Sequence, residues 1–274
     1  MEFSNINKEI YELEQDHLYH LGIDINSEIR AEFCNIKYVV YTRSNFDIQK
    51  IANKFAKQYY KIDEDGFSML PIYKTERYNL YKIGQVLFLS HGIGSPSLLI
   101  ALNEVAKLLI HASCQNFIFV KINSANTSLF GDSVIHLVTD ALNSELGTNY
   151  INIECGLEVS YPTNLDQDLL LDIQNFNQEN MQLNLGSGKS LSSDGALLDS
   201  VINFDPVIVE QYIKMARQRG VCSIDLESDC FAGFCSKLNI RALILNYAEN
   251  SELAKNNAED LLTCYILSKV MPSK

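Results

Sequence analysis

Two short loops carry residues whose chemistry suits ligand binding. The first, Ser90-His91-Gly92-Ile93-Gly94-Ser95-Pro96-Ser97, joins an apolar run to the start of an amphipathic segment. Glycines such as Gly92 and Gly94 let backbone N–H groups approach an anion, and a helix N-terminus adds partial positive charge, so this loop, with His91, is a candidate binding loop. The alternative is a tight strand-to-helix turn that holds no ligand, and the motif alone favours that alternative.

The second loop is Asp225-Leu226-Glu227-Ser228, at the end of another apolar run. Ligands of open α/β sheets gather at the carboxyl ends of the strands. A carboxylate there can accept two hydrogen bonds from a vicinal diol, such as a pair of ribose hydroxyls. The alternative is that Glu227 is an acidic residue that starts a helix.

Other candidate motifs fail on spacing. The segment Gly186-Ser187-Gly188-Lys189-Ser190 resembles the end of a phosphate-binding loop, but Leu183 stands where that loop needs glycine, and no buried strand precedes it. His17 and His20 lie three residues apart without further ligands nearby, so the sequence predicts no metal site.

The cysteines predict a reducing environment. Their number is odd and their positions are scattered, mostly in apolar runs, which favours reduced, buried thiols in a cytoplasmic protein. They are Cys34, Cys114, Cys155, Cys222, Cys230, Cys235 and Cys264.

The charge balance excludes two classes of partner. The chain has 274 residues, with 22 Lys and Arg against 34 Asp and Glu, so its net charge is −12. Such a protein repels the nucleic-acid backbone and anionic lipid, and we expect neither nucleic acid nor membrane as a partner. The first 20 residues are charged and do not resemble a signal peptide, and no run reaches the ~20 apolar residues of a membrane helix.

The pattern of apolar residues predicts the strands and helices that position both loops. Apolar runs that alternate with amphipathic segments predict an α/β fold with a largely parallel or mixed sheet, in one domain over 1–274. The predicted strands are 37–43, a 77–92 hairpin that turns at Gly84, 116–123, 133–140, 221–228 and 240–247. The predicted helices are 1–33 with a turn near Gly22, 47–60, 95–111 capped by Ser95, 165–179, 206–219, 228–238 and 250–270. The polar stretch 141–200 is the region whose sequence says least about its secondary structure.

Two segments, 77–109 and 223–238, resemble the uridine phosphorylases of the nucleoside phosphorylase superfamily, and 77–109 resembles the animal-type enzymes. The resemblance covers the chain from about Leu18 to the last predicted helix. It implies a three-layer fold with a mixed central sheet flanked by helices. It also implies a homodimer with sites at the subunit interface, to which the 1–33 arm contributes.

The resemblance also implies a reaction. In the family, phosphate attacks the anomeric carbon of uridine and releases uracil and ribose 1-phosphate, a pentosyl transfer of pyrimidine salvage. The transition state resembles an oxocarbenium ion. No metal or organic cofactor is implied. The reaction needs a cationic phosphate site, a clamp on the ribose hydroxyls, and donors that stabilise negative charge on the leaving base.

The ribose site is the best preserved. The family's Glu-Met-Glu stands here as Asp225, Leu226 and Glu227, so Glu227 is the predicted diol-binding carboxylate and Leu226 its neighbour. His20 corresponds to the histidine that reaches the ribose 5′-hydroxyl of a neighbouring subunit. Arg77 corresponds to the arginine that crosses to a neighbour's phosphate.

The phosphate site carries substitutions. Thr42 replaces a glycine, and Asp47 stands at the position of a phosphate-binding arginine. Lys121 keeps the charge of a second arginine but loses its bidentate fork, while Ser124 keeps a hydroxyl. The family has a glycine-rich motif at the end of the strand predicted here over 116–123. Asn123, Asn126 and Thr127 replace three of its glycines.

The base pocket departs further from the family. Gly195 and Leu197 align with the glutamine and arginine that read uracil, and Leu191 aligns with the stacking aromatic residue. Asn126 and Asp225 complete the predicted pocket positions. The segment 180–204 contains no Arg, and its only Gln is Gln182. Loss of such donors costs large factors in selectivity and rate.

Three hypotheses follow. The first is a divergent relative with strongly impaired or lost phosphorolysis that still binds a ribosyl compound or another nucleobase. The second is an active uridine phosphorylase in which Arg43 and Lys189 replace missing arginines. The third is a non-catalytic partner of an active relative, or a ligand-binding sensor.

Overall fold

The computed structural model describes residues 9–10, 13, 15–127, 135–193 and 205–271. The strands are β1 Asp16–Leu18, β2 Ile23–Ile25, β3 Tyr38–Thr42, β4 Tyr73–Lys74, β5 Asn79–Ile83, β6 Val86–Ser90, β7 Ile118–Ala125, β8 Ile135–Leu142, β9 Asn149–Glu154, β10 Leu157–Pro162, β11 Leu185–Ser192, β12 Val221–Asp225 and β13 Arg241–Ala248. The helices are α1 Ser27–Phe33, α2 Asn45–Tyr60, α3 Ser95–His111, α4 Gln167–Asn180, α5 Pro206–Gln218, α6 Ser228–Leu238 and α7 Glu252–Val270. A mixed nine-stranded sheet with helices confirms the predicted α/β class.

The chain forms two compact units. One comprises residues 1–121, 238–241 and 259–274, and the other comprises 122–237 and 242–258. The prediction of a single domain over 1–274 stays a prediction.

The first unit contains strands in the order β7-β3-β6-β5-β4. β3 runs parallel to both β6 and β7, and β4, β5 and β6 form an antiparallel meander. Gly84 has φ +54° between β5 and β6, which confirms the predicted hairpin and its turn. All five residues of β3 and of β6 are buried, as expected for strands covered on both faces.

The second unit contains strands in the order β12-β11-β8-β13-β7, with β11 parallel to both neighbours and β13 antiparallel to β8. β9 and β10 form a separate antiparallel pair. Gly233 of α6 allows the close approach of this pair, because a Cβ at Gly233 would lie 2.4 Å from the Cβ of Tyr150 in β9.

The prediction of helix over 1–33 is wrong for residues 16–25. β1 and β2 pair as an antiparallel hairpin around Gly22, whose φ is +68°. In β2 and the end of β1, buried residues alternate with exposed ones, which is the period of a strand. Helix begins only at α1, where the Asn26 side chain accepts a hydrogen bond from the Ile29 N–H at 2.9 Å.

The described part of the polar stretch 141–200, residues 141–193, contains the three strands β9, β10 and β11, which its polar composition does not indicate. Polar residues of β11 are buried and hydrogen-bonded: Asn246 Nδ2 donates to Ser190 Oγ at 3.1 Å, and Asp229 N donates to Ser192 Oγ at 2.8 Å. The segment 186–190 is part of this strand, in agreement with the exclusion of a phosphate-binding loop.

The predicted cap of α3 needs correction. The N-cap residue is Gly94, with φ +90°, and no side chain caps the helix. Ser95 is the first helical residue and Pro96 lies in the first turn, where its missing N–H leaves no donor unpaired.

The cysteines are not uniformly buried, contrary to the prediction. Cys34 and Cys155 are exposed, whereas Cys114 and Cys235 are buried. Cys34 is the C-cap residue of α1, and Cys155 lies in the tight turn between β9 and β10. Both are exposed because connections between elements run over the protein surface. Burial raises the pKa of the Cys114 and Cys222 thiols to about 11.

Thiol labelling tests this distribution. Iodoacetamide at pH 8 is expected to modify Cys34 and Cys155 in the native protein well before Cys114 and Cys222, because the thiolate is the nucleophile and a pKa near 11 leaves only about a thousandth of a thiol ionised. Peptide mass spectrometry over time gives the order, and labelling in denaturant is the control. Labelling of Cys114 as fast as that of Cys34 would contradict the structure.

Within the described residues, no helix combines the length and the apolar character needed to cross a membrane.

Candidate functional site

The resemblance assigns phosphate binding to the turn between β3 and α2. In this turn, side-chain oxygens of the turn itself accept hydrogen bonds from its backbone N–H groups. Ser44 N donates to Thr42 Oγ1 at 3.2 Å, and Ser44 Oγ accepts from Phe46 N at 3.2 Å and Asp47 N at 3.3 Å. Thr42 is buried, and Asp47 is half-buried in the first turn of α2. An acidic side chain there complements the helix dipole, so the turn is stable without a bound anion.

The Gly-rich loop lies beside this turn. His91 N donates to Thr42 O at 2.8 Å and Gly92 N donates to Arg43 O at 3.1 Å. Gly92 has φ +77°, and a Cβ there would lie 3.1 Å from the Ser97 hydroxyl. The backbone geometry therefore explains the glycines, while a ligand role for His91, Gly92 and Gly94 stays a prediction.

Lys121 lies on the strand next to Thr42. It is in register with Tyr41, the residue before Thr42, and its side chain is fully buried. A buried ammonium needs polar or charged neighbours. The structure thus places three of the predicted phosphate positions, Thr42, Asp47 and Lys121, near the carboxyl end of β3.

His20 and Arg77 meet at a corner of the first unit although 57 positions separate them in the sequence. The Thr75 hydroxyl donates to His20 O at 2.8 Å, and Arg77 N donates to Thr75 Oγ1 at 3.3 Å. The Tyr78 hydroxyl donates to Ser97 O at 2.8 Å and ties the same turn to α3. Arg77 is exposed and the His20 side chain is 29% exposed, so both are accessible to a ligand or to another chain.

The hairpin that carries His20 is anchored to α3. Asp16 Oδ2 lies 2.7 Å from Lys107 Nζ and 3.0 Å from His111 Nε2. Burial raises the pKa of Asp16, but the hydrogen bonds and charges of Lys107 and His111 outweigh it and lower the pKa overall. This anchor is therefore fully formed above the ordinary carboxyl pKa and is lost only as the pH falls through the lowered value.

In the second unit, Asp225 has a structural role at the start of a helix, while its assignment to the base pocket stays a prediction. Its carboxylate accepts from Glu227 N at 3.3 Å and Ser228 N at 3.1 Å, and it binds the Ser228 hydroxyl closely. Asp225 is buried and these bonds begin α6, so it acts as a helix cap.

The end of β7 lies against this turn. Asn126 and Ile224 exchange two backbone hydrogen bonds of 2.9 Å, which places Asn126 beside the Asp225–Ser228 segment. Glu227 is fully buried and Leu226 is half-buried. Asn126 and Glu227, two predicted site positions from distant parts of the sequence, therefore lie in one region. Ser124 lies in β7, two residues before Asn126.

The remaining base-pocket positions do not join this cluster. Leu191 is 1% exposed and packs in an apolar core with Leu142, Ile213 and Ile224 under α5. Its neighbours Ser190 and Ser192 point to the opposite face of β11, where their hydroxyls bond to Asn246 and to the backbone of Asp229. The assignment of Leu191 to the stacking position stays a prediction. The positions of Gly195 and Leu197 lie outside the described residues.

Sequence reasoning missed three residues that shape these regions: Ser44, Thr75 and Glu104. Ser44 has the usual signal of a helix cap, a serine one residue before an amphipathic segment. Thr75 and Glu104 act on His20 from other elements, and no local pattern announces them. Among the described residues, no group of three His, Cys, Asp or Glu side chains is arranged to hold a metal.

The chain is similar in sequence to curated uridine phosphorylases over most of its length. No family model matches the chain. The chain is 27% identical over 239 residues to a uridine and thymidine phosphorylase of Caenorhabditis elegans, covering 84% of this chain and 79% of the relative. It is 24% identical over 272 residues to inactive uridine phosphorylase B of Schistosoma mansoni, covering 93% and 89%.

The fold agrees with these relatives. The crystal structure of uridine phosphorylase from Schistosoma mansoni in complex with uracil matches with a TM-score of 0.85 at 23% identity, covering 96% of this chain and 98% of that one. The fold and the extent of the sequence match lead to one assignment. The chain is a divergent relative of the uridine phosphorylases and has their fold, a mixed central sheet flanked by helices.

Proposed function

We propose that this chain is a uridine phosphorylase-like protein with strongly impaired or lost phosphorolysis, which still binds a ribosyl compound through Glu227 and His20. The observation that carries the proposal is the turn between β3 and α2. There the N–H groups of Ser44, Phe46 and Asp47 already donate to side chains of the turn itself.

The charges at this end of the sheet oppose phosphate. A phosphate group carries about −1.5 to −2 charges, and the carboxylate of Asp47 stands where the family has an arginine. Lys121 is buried and offers a point charge rather than a planar fork. Both changes lower the affinity for phosphate, and without bound phosphate the reaction has no nucleophile.

A relative supports loss of activity as an outcome in this family. The Schistosoma mansoni relative that the chain matches over 93% of its length is named an inactive uridine phosphorylase. The substitutions at the phosphate and base positions of our chain are in line with the same outcome.

The sugar-binding side is better preserved. Glu227 is buried on a turn held by the Asp225 carboxylate, so its position is fixed before a ligand arrives. His20 and Arg77 lie together on an accessible corner, as expected for residues that reach into the site of a second subunit. We therefore propose a homodimer with sites at the subunit interface, in the cytoplasm.

A second candidate is an active enzyme with rearranged phosphate ligands. Arg43 directly follows β3, and Lys121 lies on the neighbouring strand, so two positive charges remain near Thr42. Against it, the replacement ligands would have to compensate at the phosphate and base positions together. A third candidate, a non-catalytic partner of an active relative, predicts binding of no small ligand.

Thermal shift measurements test the retained binding. Uridine at about 100 times its Kd is expected to stabilise the protein by about 2.7 kcal/mol, whereas inorganic phosphate alone produces no shift. Glu227→Gln is expected to reduce the uridine effect strongly, because it replaces one of the two acceptor oxygens of the carboxylate by an NH₂ donor and removes the charge. A shift with phosphate would favour the rearranged active site, and the absence of any shift would favour the non-catalytic partner.

A further inference from the structure

Two thiols from distant parts of the sequence lie next to each other in the first unit. Cys34 is the C-cap residue of α1, and Cys114 lies in the short connection between α3 and β7, 80 positions later. The Cys114 thiol donates a hydrogen bond of 2.8 Å to the carbonyl oxygen of Phe33, the residue that precedes Cys34. This hydrogen bond holds the Cys114 sulfur beside the backbone of Cys34.

The separation of the two residues is close to that of a disulfide. In a trans peptide the Cα atom of Cys34 lies about 2.8 Å from the Phe33 carbonyl oxygen, so it lies within about 5.6 Å of the Cys114 sulfur. Between bonded cysteines the distance from one sulfur to the Cα atom of the other is about 4 Å. A shift of less than about 2 Å therefore separates the present arrangement from a bonded one.

The Cys34 side chain can turn toward Cys114, because it lies on the surface at the end of a short helix. Its thiol donates to the carbonyl oxygen of Ala31 at 3.1 Å, within the last turn of α1. Water can replace this exposed hydrogen bond, so breaking it costs little. Cys114 is buried, and its backbone N–H donates to Leu109 O at 2.9 Å. The pair thus consists of one sulfur that can rotate and one that is held in place.

The two sulfurs also differ in reactivity. Burial raises the pKa of the Cys114 thiol to about 11, a backbone hydrogen bond with Ile36 lowers it, and the charge of the neighbouring Cys34 raises it. The electrostatic effect of Cys34 agrees with the short distance between the two residues. An oxidant in solution reaches the exposed Cys34 first, and Cys114 is placed to react with the oxidised form.

We propose that Cys34 and Cys114 form a site of reversible oxidation, at which hydrogen peroxide converts the two thiols into an intramolecular disulfide. Peroxide transfers one oxygen atom to the Cys34 sulfur, which becomes a sulfenic acid, and the rest of the peroxide leaves as water. The Cys114 sulfur then attacks the Cys34 sulfur. The S–S bond forms as the S–O bond breaks, and the departing hydroxide takes the Cys114 proton as a second water. A dithiol reductant restores both thiols by exchange.

The disulfide adds a covalent clamp to a segment that polar contacts already hold. α1 directly follows the β1–β2 hairpin, which Glu104 of α3 binds through the N–H groups of His20 and Leu21, at 3.0 and 2.8 Å. The bond from Cys34 to Cys114 joins the far end of α1 to the connection that follows α3. Because the loop it closes is long, the bond removes much chain entropy from the unfolded state.

Peptide mapping tests the pairing. The full-length protein is treated with a small molar excess of hydrogen peroxide, alkylated with iodoacetamide in denaturant, and mapped without reduction. We expect a pair of peptides linked through Cys34 and Cys114, which dithiothreitol separates. Cys155→Ser removes the second exposed thiol and is the matched control, which should keep the link. In Cys114→Ala the sulfenic acid of Cys34 has lost its partner, so dimedone is expected to label it more strongly than in the unmodified protein.

Thermal unfolding tests the clamp. The oxidised protein is expected to unfold at a Tm at least about 4 °C above that of the reduced protein. In Cys34→Ser, a change at an exposed cap position, peroxide should give no such rise.

These measurements do not depend on nucleoside binding, so they are decided separately from the proposed function. Peroxide that yields a sulfinic acid at Cys34 or disulfides between two molecules, with no link from Cys34 to Cys114, overturns the proposal. A link that leaves the Tm unchanged or lowers it shows that the native arrangement does not fit the bond, and it overturns the clamp. If Cys114→Ala fails to fold, the peptide map of the unmodified protein and the Tm of Cys34→Ser still decide.

Discussion

Purified protein incubated with uridine and inorganic phosphate is expected to release uracil at least about a thousandfold more slowly than the ~10 s⁻¹ of a typical enzyme. The physical reason is the turn between β3 and α2, whose N–H groups are taken by Thr42 and Ser44 while Asp47 adds negative charge. A chromatographic assay of uracil over time gives the rate. Turnover at ordinary enzyme rates in the unmodified protein would contradict the proposed function.

Restoration of charge should not be enough to restore this reaction. Asp47→Arg alone is expected to leave turnover unchanged, because the predicted base-pocket positions still lack donors. Adding Thr42→Gly, Gly195→Gln and Leu197→Arg is expected to raise it measurably. Asp63→Arg, which makes the same charge change at an exposed loop position, is the control and should have no effect. No gain from the combined variant would count against the alignment of the segment 180–204.

Asp225→Ala is expected to lower the free energy of unfolding by about 3 kcal/mol. It removes a buried acceptor from two backbone N–H groups and one hydroxyl at the start of α6, and each donor is then left buried without that partner. Urea unfolding followed by circular dichroism measures the loss.

A second helix cap supplies the control for Asp225. Asp205→Ala removes the acceptor of the Val207 N–H, at 2.8 Å, from the exposed start of α5, and we expect it to cost only about 1 kcal/mol. Equal effects of the two variants would show that burial at Asp225 adds nothing. A stable Asp225→Ala protein that loses only ligand affinity would support the predicted place of Asp225 in the base pocket.

Much of the fold could be predicted from the sequence because its strands are apolar and its helices are periodic. β3, β6, β7 and β13 are buried nearly throughout, and such strands read as continuous apolar runs. α2 and α5 show one buried stripe each. These patterns are local, so a single sequence is sufficient to identify them.

The errors arose where distant contacts outweigh local preference. β11 is polar because its serine hydroxyls bond to Asn246 and to the start of α6, partners that lie 37 or more positions away. The β1–β2 hairpin is short and is held by Glu104 and Lys107 of α3. Neither partner can be inferred from the segment itself.

The sequence by itself determined the α/β class and the resemblance to uridine phosphorylases, and it supplied the predicted substitutions at the phosphate and base positions, because these depend on residue types and their order. Only the tertiary structure decided what those residues do. It made Asp225 a helix cap, occupied the N–H groups near Thr42, and brought Glu104 to Nδ1 of His20 across 84 positions. The partner of His20 is set by which surfaces meet in space, and no local pattern contains that information.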